Sequence, residues 1–383
     1  MVKVAIVCGA GVVSGKEIMA LELAKGLRDT GCEVEVVTSF WGDREFLGRL
    51  QDENLRAHIM RLGFISATLS LECLRMTAHQ MLFWPGLSLT YKRFLSEVRP
   101  TKIVHTNWQH ALLLWPFLNC ERDIFWVHEL VPKKPQYIRL FRALSRRLCE
   151  FVAVSQATAT SLTRIGIPKH KVRVIYNGVR DSSGGSPHLT PSSFPVFGIV
   201  GQVGPWKGHE DLFQAFAEVM PSHPEAQLHI FGRGSLEYEE YLRRNAVQLG
   251  IEQNVTWHGF VKDCDKIYNR MDVIVIPSRC EESFGLTAVE ASYYAIPAIA
   301  SRRGGLPEII DDGVTGCLFE AGDIRQLAQS ILTLSGNVDL RKQMGEHARK
   351  RSMSLFSHDR FVQEFCEILE LKYRNVATIN RVE

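Results

Sequence analysis

The chain has 383 residues, of which 45% are hydrophobic, and it carries 45 Lys and Arg against 42 Asp and Glu. At roughly 150 residues per domain, this length predicts two or three domains with ordinary cores, and no apolar run approaches the roughly 18 residues of a membrane span. The nine cysteines are scattered without a C-x-x-C pair, which argues against a disulfide framework or a zinc site and is typical of a cytoplasmic protein.

The charge is unevenly distributed along the chain. Residues 1–180 hold 25 Lys and Arg against 15 Asp and Glu, a net charge of +10, whereas the remainder holds 20 against 27, a net charge of −7. A basic N-terminal half suggests an anionic partner, such as a phospholipid surface or a lipid-phosphate acceptor, although a solvated surface explains it equally well. No nucleic-acid-binding motif accompanies the charge, so we expect no nucleic-acid partner.

The first predicted elements are a strand over residues 2–8, a glycine-rich loop GAGVVSGKE, a helix that ends near Thr30, and a strand over residues 32–39. Such a unit could be a dinucleotide-binding fingerprint. Its spacing is G-x-G-x-x-x-G, however, and no acidic residue closes the second strand to hold a ribose. We therefore do not expect a nicotinamide cofactor.

Two strands in the first half end in histidine. After a stretch at 55–98 that we expect to be helical, interrupted at Pro85-Gly86, the strands KIVHTN (102–107) and DIFWVHE (123–129) carry His105 and His128. Ligands of open parallel sheets bind outside the carboxyl ends of the strands, so both histidines are candidates. For His105 a hydrogen-bonded structural role is the simpler interpretation.

The segment from Leu130 to Cys149 is basic and amphipathic. Its apolar residues fall on one helical face, and the segment contains no Asp or Glu. The basic residues are Lys133, Lys134, Arg139, Arg142, Arg146 and Arg147. Such a helix could contact an anionic membrane surface through Lys133–Arg147, or it could pack its apolar face on the sheet while the cations face water.

A second α/β domain follows a linker. The composition of DSSGGSPHLTPSS (181–193) is typical of a linker, and FPVFGIVGQVGPWKGHEDLFQAF then predicts strand, loop and helix. Lys207 falls in that loop, where an ammonium group can meet a diphosphate. A later strand, VTWHGFV (255–261), also points towards this end of the predicted sheet.

The stretch from Pro277 to Glu308 contains the strongest signal. The apolar run at 273–276 predicts a buried parallel strand, and the turn after it begins a helix whose first N–H groups, at Gly285, Leu286 and Thr287, favour an anion. Glu282 precedes these donors and Glu290 follows eight residues later. Carboxylates beside an anion site need other donors, and sugar hydroxyls supply them. The pattern predicts a sugar nucleotide.

This stretch resembles the retaining, GT-B-fold glycosyltransferases of family 4. E-S-F-G-L-T-A-V-E matches their E-x7-E signature, and GGLPEIIDDGVTGCLF also resembles that family. The resemblance implies that Glu282 contacts the donor sugar and Glu290 the ribose. The E-x7-E spacing alone is common in helices, but the preceding strand, the FGL turn and the GG-x-PE loop strengthen the match.

The resemblance extends to both halves of the chain. It implies that Gly15 faces the phosphates, that His128 in WVHEL lies near the transfer site, and that Lys207 in PWKG binds the diphosphate. The family's arginine before this lysine is Gln202 here, which brings no charge, and Arg233 in FGRG is a candidate substitute cation. The expected catalytic residues are His128, Lys207 and Glu282. The expected donor-binding residues are Gly15, Gln202, Ser283, Phe284, Gly285, Leu286, Thr287 and Glu290.

These patterns predict an α/β protein of the GT-B class, with two Rossmann-like domains whose parallel sheets face a central cleft. We expect an acceptor-side domain at 1–180, a linker at 181–193, a nucleotide-sugar domain at 194–355, and a C-terminal helix within 356–383 that packs back on the first domain. The implied reaction moves a sugar from a UDP- or GDP-linked donor to a hydroxyl of a glycan or lipid-linked acceptor, with retention, in polysaccharide or cell-envelope biosynthesis. We expect no metal and no other cofactor.

Three alternatives stay open. A nucleotide-sugar epimerase on the same fold would convert the donor without an acceptor. A non-catalytic sugar-nucleotide-binding subunit of a transferase complex would bind the donor without turnover, and Gln202 is the feature that favours it. A membrane-surface protein built on the basic helix would bind anionic vesicles and ignore sugar nucleotides. We expect a cytoplasmic protein, with peripheral contact at the inner face of the membrane as an added prediction.

Overall fold

In this computed structural model the described residues are 2–9, 13–41, 44–63, 65, 71–182 and 195–371. Contacts divide the chain into two compact units. Unit 1 is the chain up to Gly178 together with the segment that starts at His358, and unit 2 is Val179–Ser357. The predicted linker at 181–193 lies outside the described residues, apart from its first two positions.

The strands form two sheets, one in each unit. Those of unit 1 are β1 Lys3–Val7, β2 Glu33–Ser39, β3 Arg56–Met60, β4 Lys102–His105, β5 Asp123–Val127, β6 Phe151–Ala153 and β7 Val172–Val174. Those of unit 2 are β8 Val196–Val200, β9 Gln227–Phe231, β10 Val255–Gly259, β11 Val273–Ile276, β12 Ala298–Ser301 and β13 Gly316–Phe319.

The helices lie between these strands and, for the last three, after β13. They are α1 Gly15–Asp29, α2 Glu45–Asp52, α3 Leu71–Leu82, α4 Trp84–Val98, α5 Trp108–Leu113, α6 Pro135–Leu144, α7 Gln156–Arg164, α8 His209–Val219, α9 Leu236–Gln248, α10 Cys264–Tyr268, α11 Leu286–Tyr293, α12 Leu306–Ile309, α13 Ile324–Ser335, α14 Val338–Leu355 and α15 His358–Ile368. In the part of the chain that the structure describes, no helix is both long enough and apolar enough to cross a bilayer.

Unit 1 is a parallel sheet in the order β3-β2-β1-β4-β5-β6-β7. Apart from their first residues, Lys3 and Asp123, the strands β1 and β5 are buried apolar runs, as expected for a sheet covered on both faces. The last helix, α15, belongs to this unit: Phe361 and Phe365 pack on Trp126 of β5, with ring centroids 5.6 and 4.9 Å apart. Gly26 of α1 admits α15, because a Cβ there would lie 2.2 Å from Val362 Cγ2.

The expectation of an all-helical stretch at 55–98 is wrong at its start, because residues 56–60 form strand β3. This strand is at the edge of the sheet and pairs only with β2 among the described strands. Its side chains stay partly or largely exposed until Met60, so it lacks the buried apolar run that marks the other strands. The two helices after it, α3 and α4, are as expected, with Pro85 in the first turn of α4.

Unit 2 is also a parallel sheet, in the order β10-β9-β8-β11-β12-β13. The core lies between this sheet and the helices α8 and α13, and includes Phe213, Phe216 and Ile331. The strand order reverses between β8 and β11. At such a point the loops leave in opposite directions and open a crevice at the carboxyl ends of the strands, where ligands bind. The predicted architecture of two Rossmann-like domains with parallel sheets is confirmed.

Candidate active site

The carboxyl ends of β8 and β11 bring together two of the predicted catalytic residues. Lys207 follows β8 and Glu282 follows β11, and the Lys207 ammonium donates to Glu282 Oε1 across 2.6 Å. Ser278 Oγ donates to the same oxygen at 2.5 Å. No described residue donates to Oε2, the other oxygen of Glu282. Both side chains are partly exposed, so the pair is accessible from the crevice.

A glycine lets the two loops approach this closely. Gly208 has φ +74°, and a Cβ on it would lie only 1.9 Å from the backbone oxygen of Pro277. The same approach is held by a hydrogen bond from Arg279 N to Trp206 O at 2.9 Å. The K-G pair of PWKG therefore has two roles, because the glycine creates the contact that positions the lysine.

An arginine that the sequence did not single out holds the second loop on α8. Arg279 Nε and Nη2 donate to the two carboxylate oxygens of Asp211 at 2.9 and 2.7 Å, and Nη1 donates to Glu210 at 2.9 Å. This bidentate geometry is the strong form of an Arg–carboxylate pair. The hydrogen bonds to Asp211 raise the pKa of Arg279 further above its ordinary value. Arg279 therefore stays charged and holds the loop that carries Glu282.

The GG turn after β12 supports the backbone of the same loop. Gly304 N donates to Glu281 Oε2 at 2.6 Å, and Gly305 N donates to Glu282 O at 2.8 Å. A Cβ on Gly304, which has φ +54°, would lie 1.8 Å from Glu282 O. The conformation at Glu282 is therefore held from three sides: by Lys207, by Ser278 and by this turn.

Helix α11 begins where the sequence predicted an anion site. Gly285, with φ +120°, precedes the first helical residue Leu286, and no side chain caps this end. Gly285, Leu286 and Thr287 are all partly exposed, so the amide groups of the first turn are near the surface. Phe284 instead points inward and packs edge-on against Phe356, with centroids 5.6 Å apart. Ser283 is partly exposed beside it.

Glu290 lies in the middle of the same helix, α11, where its side chain contacts a buried tyrosine. Tyr268 donates its hydroxyl to Glu290 Oε2 across 2.5 Å. Burial raises the pKa of the Glu290 carboxyl, while the hydrogen bond from Tyr268 opposes that shift. Tyr268 was not predicted from the sequence. A tyrosine twenty-two residues upstream, on a different helix, leaves no local pattern that links it to this glutamate.

The substitute-cation hypothesis concerns the ends of β8 and β9. Gln202 and Arg233 both have exposed side chains, and their loops are joined by a hydrogen bond from Val203 N to Arg233 O at 2.9 Å. Among the described residues no carboxylate pairs with Arg233. The structure therefore brings Arg233 to the neighbouring strand end, but in the described part of the chain no hydrogen bond or ion pair joins Arg233 to Lys207 or Glu282.

The remaining candidates lie in unit 1. Gly15 is the first residue of α1, and Ser14 before it and Glu17 after it form a capping box. His128 directly follows β5 and packs on Trp126 at 4.2 Å, and its Nε2 is buried with no described partner. Burial, together with the charge of Lys16, lowers the pKa of His128 well below its ordinary value, so the imidazole is neutral at pH 7.

His105 has the structural role that was the simpler interpretation. It is fully buried, and its Nε2 lies 2.6 Å from Asp123 Oδ1. Asp123 also accepts hydrogen bonds from the backbone of Asn119 and from Arg122. These bonds account for the Asp123 carboxylate and for Nε2 of His105, as the structural interpretation predicts, whereas Nδ1 of His105 is buried with no described partner.

The apolar face of the basic helix α6 is used by the core. Phe141, Leu144 and Leu148 are buried in a cluster under the sheet, whereas Lys133, Lys134 and Arg139 are exposed. For a contact with a membrane, the segment Lys133–Arg147 therefore offers cations but no free apolar face. As to metals, the described ranges contain no group of three or more His, Cys, Asp or Glu side chains that could hold an ion.

Two family models match the chain. "Glycosyltransferase Family 4" matches residues 13–183 and "Glycosyl transferases group 1" matches residues 186–351. Among curated relatives, D-inositol 3-phosphate glycosyltransferase of Corynebacterium kroppenstedtii is 33% identical over 191 residues, which is 47% of this chain and 41% of the relative. N-acetyl-alpha-D-glucosaminyl L-malate synthase of Bacillus anthracis is 32% identical over 156 residues, 41% of this chain and 40% of the relative. The chain thus spans about two fifths of the length of the first curated relatives it matches.

Solved structures match over nearly the whole chain. Anabaena Alr3699/HepE in complex with UDP and glucose superposes with a TM-score of 0.80 at 20% identity, covering 97% of this chain and 100% of that one. TarM superposes with a TM-score of 0.75 at 13% identity, covering 96% and 99%. At such identities the likeness concerns the fold, which is GT-B.

Proposed function

The chain belongs to the GT-B-fold glycosyltransferases, and on that premise we propose that it transfers a sugar from a nucleoside diphosphate donor to an acceptor hydroxyl with retention of configuration. The observation that carries this proposal is the contact between Lys207 and Glu282 at the carboxyl ends of β8 and β11. In this proposal the Lys207 ammonium binds the diphosphate and the neighbouring Glu282 carboxylate binds the sugar, at the end of the sheet where such folds bind ligands.

The hydrogen-bonding capacity that the pair leaves unused fits a diphosphate on Lys207 and a sugar on Glu282. An ammonium group has three donors, and the hydrogen bond to Glu282 uses one of them, so two remain for diphosphate oxygens. Glu282 Oε1 accepts from Lys207 and Ser278, whereas Oε2 is left for a sugar hydroxyl. The anchored oxygen fixes the direction of the second one, which orients the sugar relative to its leaving group.

Stabilisation of the leaving-group charge is the main chemical demand. Lys207 and the amides of Gly285, Leu286 and Thr287 supply fixed positive charge and dipoles that need little rearrangement during the reaction. Gln202 contributes hydrogen bonds without charge, so Arg233 is proposed as the second cation. We expect a front-face departure and attack, with no metal and no cofactor other than the nucleotide sugar itself.

Glu290 is proposed to bind the ribose. Its Oε2 is committed to Tyr268, which leaves Oε1 for the two vicinal hydroxyls of a ribose. The nucleotide itself is proposed to be UDP or GDP. The similar structure of HepE favours UDP, because HepE was solved with UDP and with UDP-glucose.

The acceptor is proposed to be a polyol or glycan, free or lipid-linked. A pocket beside His128 in unit 1 is lined by Thr106, Asn107, Trp108 and Tyr137, with the last two rings 5.9 Å apart. Aromatic rings together with neutral polar groups and the carboxylate of Glu129, which also lines the pocket, suit a sugar or polyol surface. The neutral His128 can accept or donate one hydrogen bond there without repelling a cation. A cytoplasmic location and an added contact through Lys133–Arg147 stay predictions.

Product analysis tests the proposal. The chain is incubated with radiolabelled UDP-glucose and, separately, GDP-mannose, with and without a panel of polyol and glycan acceptors. We expect acceptor-dependent release of UDP or GDP and a labelled product with the α configuration. Conversion of the donor to an epimer without acceptor would indicate the epimerase. Donor binding by calorimetry with no release in any mixture would support the non-catalytic subunit that Gln202 favours.

A further inference from the structure

Helix α3 in unit 1 exposes its apolar side to the surroundings. Leu71 and Leu82 are each 77% exposed, and Leu74 and Met81 are about half exposed. These positions follow one another at helical spacing, so they form one stripe along α3. Within α3, which is described in full, Gln80 is the only buried residue.

Neighbouring elements continue this apolar surface. Phe40 and Trp41 follow β2, Ile59 is on the edge strand β3 and Leu89 is on α4, and all of them are exposed. A shallow groove is lined by Phe40, Ile59 and Leu82, so it joins the end of β2, the edge strand and α3. We call this surface the α3 face. It consists of Phe40, Trp41, Ile59, Leu71, Leu74, Met81, Leu82 and Leu89.

A buried polar contact fixes the orientation of α3. A surface helix usually buries its apolar side, whereas α3 turns its apolar side outward. Gln80 is buried and its Nε2 donates to Arg61 O at 2.7 Å. Trp41 and Phe83 both pack edge-on against His79, with centroids 5.8 and 5.0 Å away. The helix therefore buries an amide and presents leucines outward. An exposed apolar area of this extent marks a surface that meets an apolar partner.

The charges around the α3 face show which partner fits. Arg44 and Arg61 lie over the rings of Phe40 and Phe83, and Arg75 and Lys92 are exposed on the helices. Within the described part of the chain, none of these cations pairs with a carboxylate. Residues 1–180 as a whole carry a net charge of +10. Unpaired cations around exposed leucines are complementary to a surface that is anionic outside and apolar below.

We infer that the α3 face docks on an anionic phospholipid bilayer. The leucines enter the boundary between headgroups and acyl chains, and Arg44, Arg61, Arg75 and Lys92 meet lipid phosphates. This inference does not rest on the proposed transfer reaction. It also differs from the prediction for α6, whose apolar face is buried and which can add only charge attraction.

Vesicle flotation of the full chain tests the inference. The vesicles contain equal parts of phosphatidylcholine and phosphatidylglycerol, or phosphatidylcholine alone. We expect flotation with the mixed vesicles and little with the neutral ones. The double variant Leu71→Asp/Leu82→Asp should lower the partition coefficient by roughly a hundredfold, since each leucine side chain that leaves the bilayer costs about tenfold. The matched control is Leu236→Asp, because Leu236 is 80% exposed on α9 of unit 2.

A second pair of variants separates charge from apolar contact. Arg75→Gln/Lys92→Gln should weaken binding to the mixed vesicles and reduce its dependence on salt. The emission of Trp41, obtained as the difference between the chain and its Trp41→Phe variant, should shift to shorter wavelength on the vesicles. Melting curves and donor binding of every variant show whether it is folded, since these residues are exposed and outside the proposed donor site.

Three results would overturn the inference. One is flotation that survives Leu71→Asp/Leu82→Asp but is lost in Arg139→Gln/Arg146→Gln, which would assign the contact to α6. Another is a concentration-dependent dimer in light scattering that Leu71→Asp/Leu82→Asp dissolves, without any flotation, which would assign the α3 face to a second copy. Equal flotation with neutral and anionic vesicles would remove the role of the cations.

Discussion

Tyr268 and Glu290 form a hydrogen bond of 2.5 Å between a fully buried hydroxyl and the carboxylate proposed to hold the ribose. Tyr268 is itself fixed by burial, which raises the pKa of its hydroxyl well above the ordinary value, so it remains a donor throughout the physiological range. One carboxylate oxygen of Glu290 is thus bonded to Tyr268, and this bond fixes the direction of the other oxygen. Tyr268 is in this sense a positioning residue for the donor nucleotide.

Substitution of that tyrosine should therefore affect binding more than chemistry. In Tyr268→Phe the ring still fills its site, but Glu290 loses its donor, at about the 1–3 kcal/mol of a buried carboxylate left unsatisfied. We expect KM for the nucleotide sugar to rise roughly tenfold or more with kcat little changed. Steady-state kinetics with varied donor checks this. A fall in kcat at unchanged KM would remove Tyr268 from nucleotide positioning.

The pH dependence of donor binding follows from the same pair. Burial raises the pKa of Glu290 above its ordinary value, so its carboxylate protonates at a higher pH than an exposed glutamate. Protonation removes an acceptor for ribose hydroxyls, so donor affinity should fall as the pH is lowered through that raised pKa. Because the Tyr268 hydrogen bond lowers the pKa, the fall should begin at higher pH in Tyr268→Phe. Calorimetric titrations over a pH series measure this, and Glu290→Gln should be flat by comparison.

Removal of either member of the Lys207–Glu282 pair should damage turnover. We expect Lys207→Ala and Glu282→Ala each to lower kcat/KM by roughly a hundredfold or more, the scale of losing one donor to a developing negative charge. The control is Lys342→Ala, an exposed lysine on α14. A variant of the pair with full activity would exclude that residue from the mechanism.

The close approach at Gly208 can be measured with a second glycine as reference. Gly208 and Gly250 have similar φ angles, +74° and +68°, but a Cβ on Gly250 meets nothing within 4 Å, whereas one on Gly208 meets Pro277 O at 1.9 Å. Gly250→Ala should cost about 1–2 kcal/mol of unfolding free energy, the cost of the left-handed conformation. Gly208→Ala should cost roughly 1–3 kcal/mol more and weaken donor binding. Urea unfolding of both variants gives the difference, and equal losses would mean that the approach is not tight.

The substitute role of Arg233 can be tested with a double-mutant cycle. If Arg233 supplies the charge that Gln202 lacks, Arg233→Gln should lower kcat roughly tenfold, and Gln202→Arg should restore most of that loss. The control is Arg244→Gln on α9, which is exposed and outside the strand ends. Additive effects of the two changes would show that the positions act independently.

The fold and the main pair of the site were accessible to sequence analysis because they depend on local patterns. Strands such as β11 are apolar runs, and Lys207 and Glu282 each lie in a short motif at a strand end. Tyr268 and Arg279 were not accessible, since their partners Glu290 and Asp211 are twenty-two and sixty-eight residues away. No periodicity connects residues at such distances.

Strand β3 and the outward direction of the apolar stripe on α3 were not predicted, for another physical reason. Strand β3 is at the sheet edge and keeps charged residues, so its sequence lacks the signal of a buried strand. In α3 the leucines are at the spacing of a buried stripe, and only the structure shows that this stripe points outward, because the pattern gives the face of a helix but not the direction of that face.

The return of α15 to unit 1 bears on how the chain folds during synthesis. Trp126 packs against Phe361 and Phe365, which leave the ribosome more than two hundred residues after it. Unit 2, which ends at Ser357, is translated completely before those phenylalanines appear. Unit 2 can therefore complete its hydrophobic core while unit 1 still lacks the helix α15 that packs on β5. This is the reverse of the usual order, in which the N-terminal domain folds first.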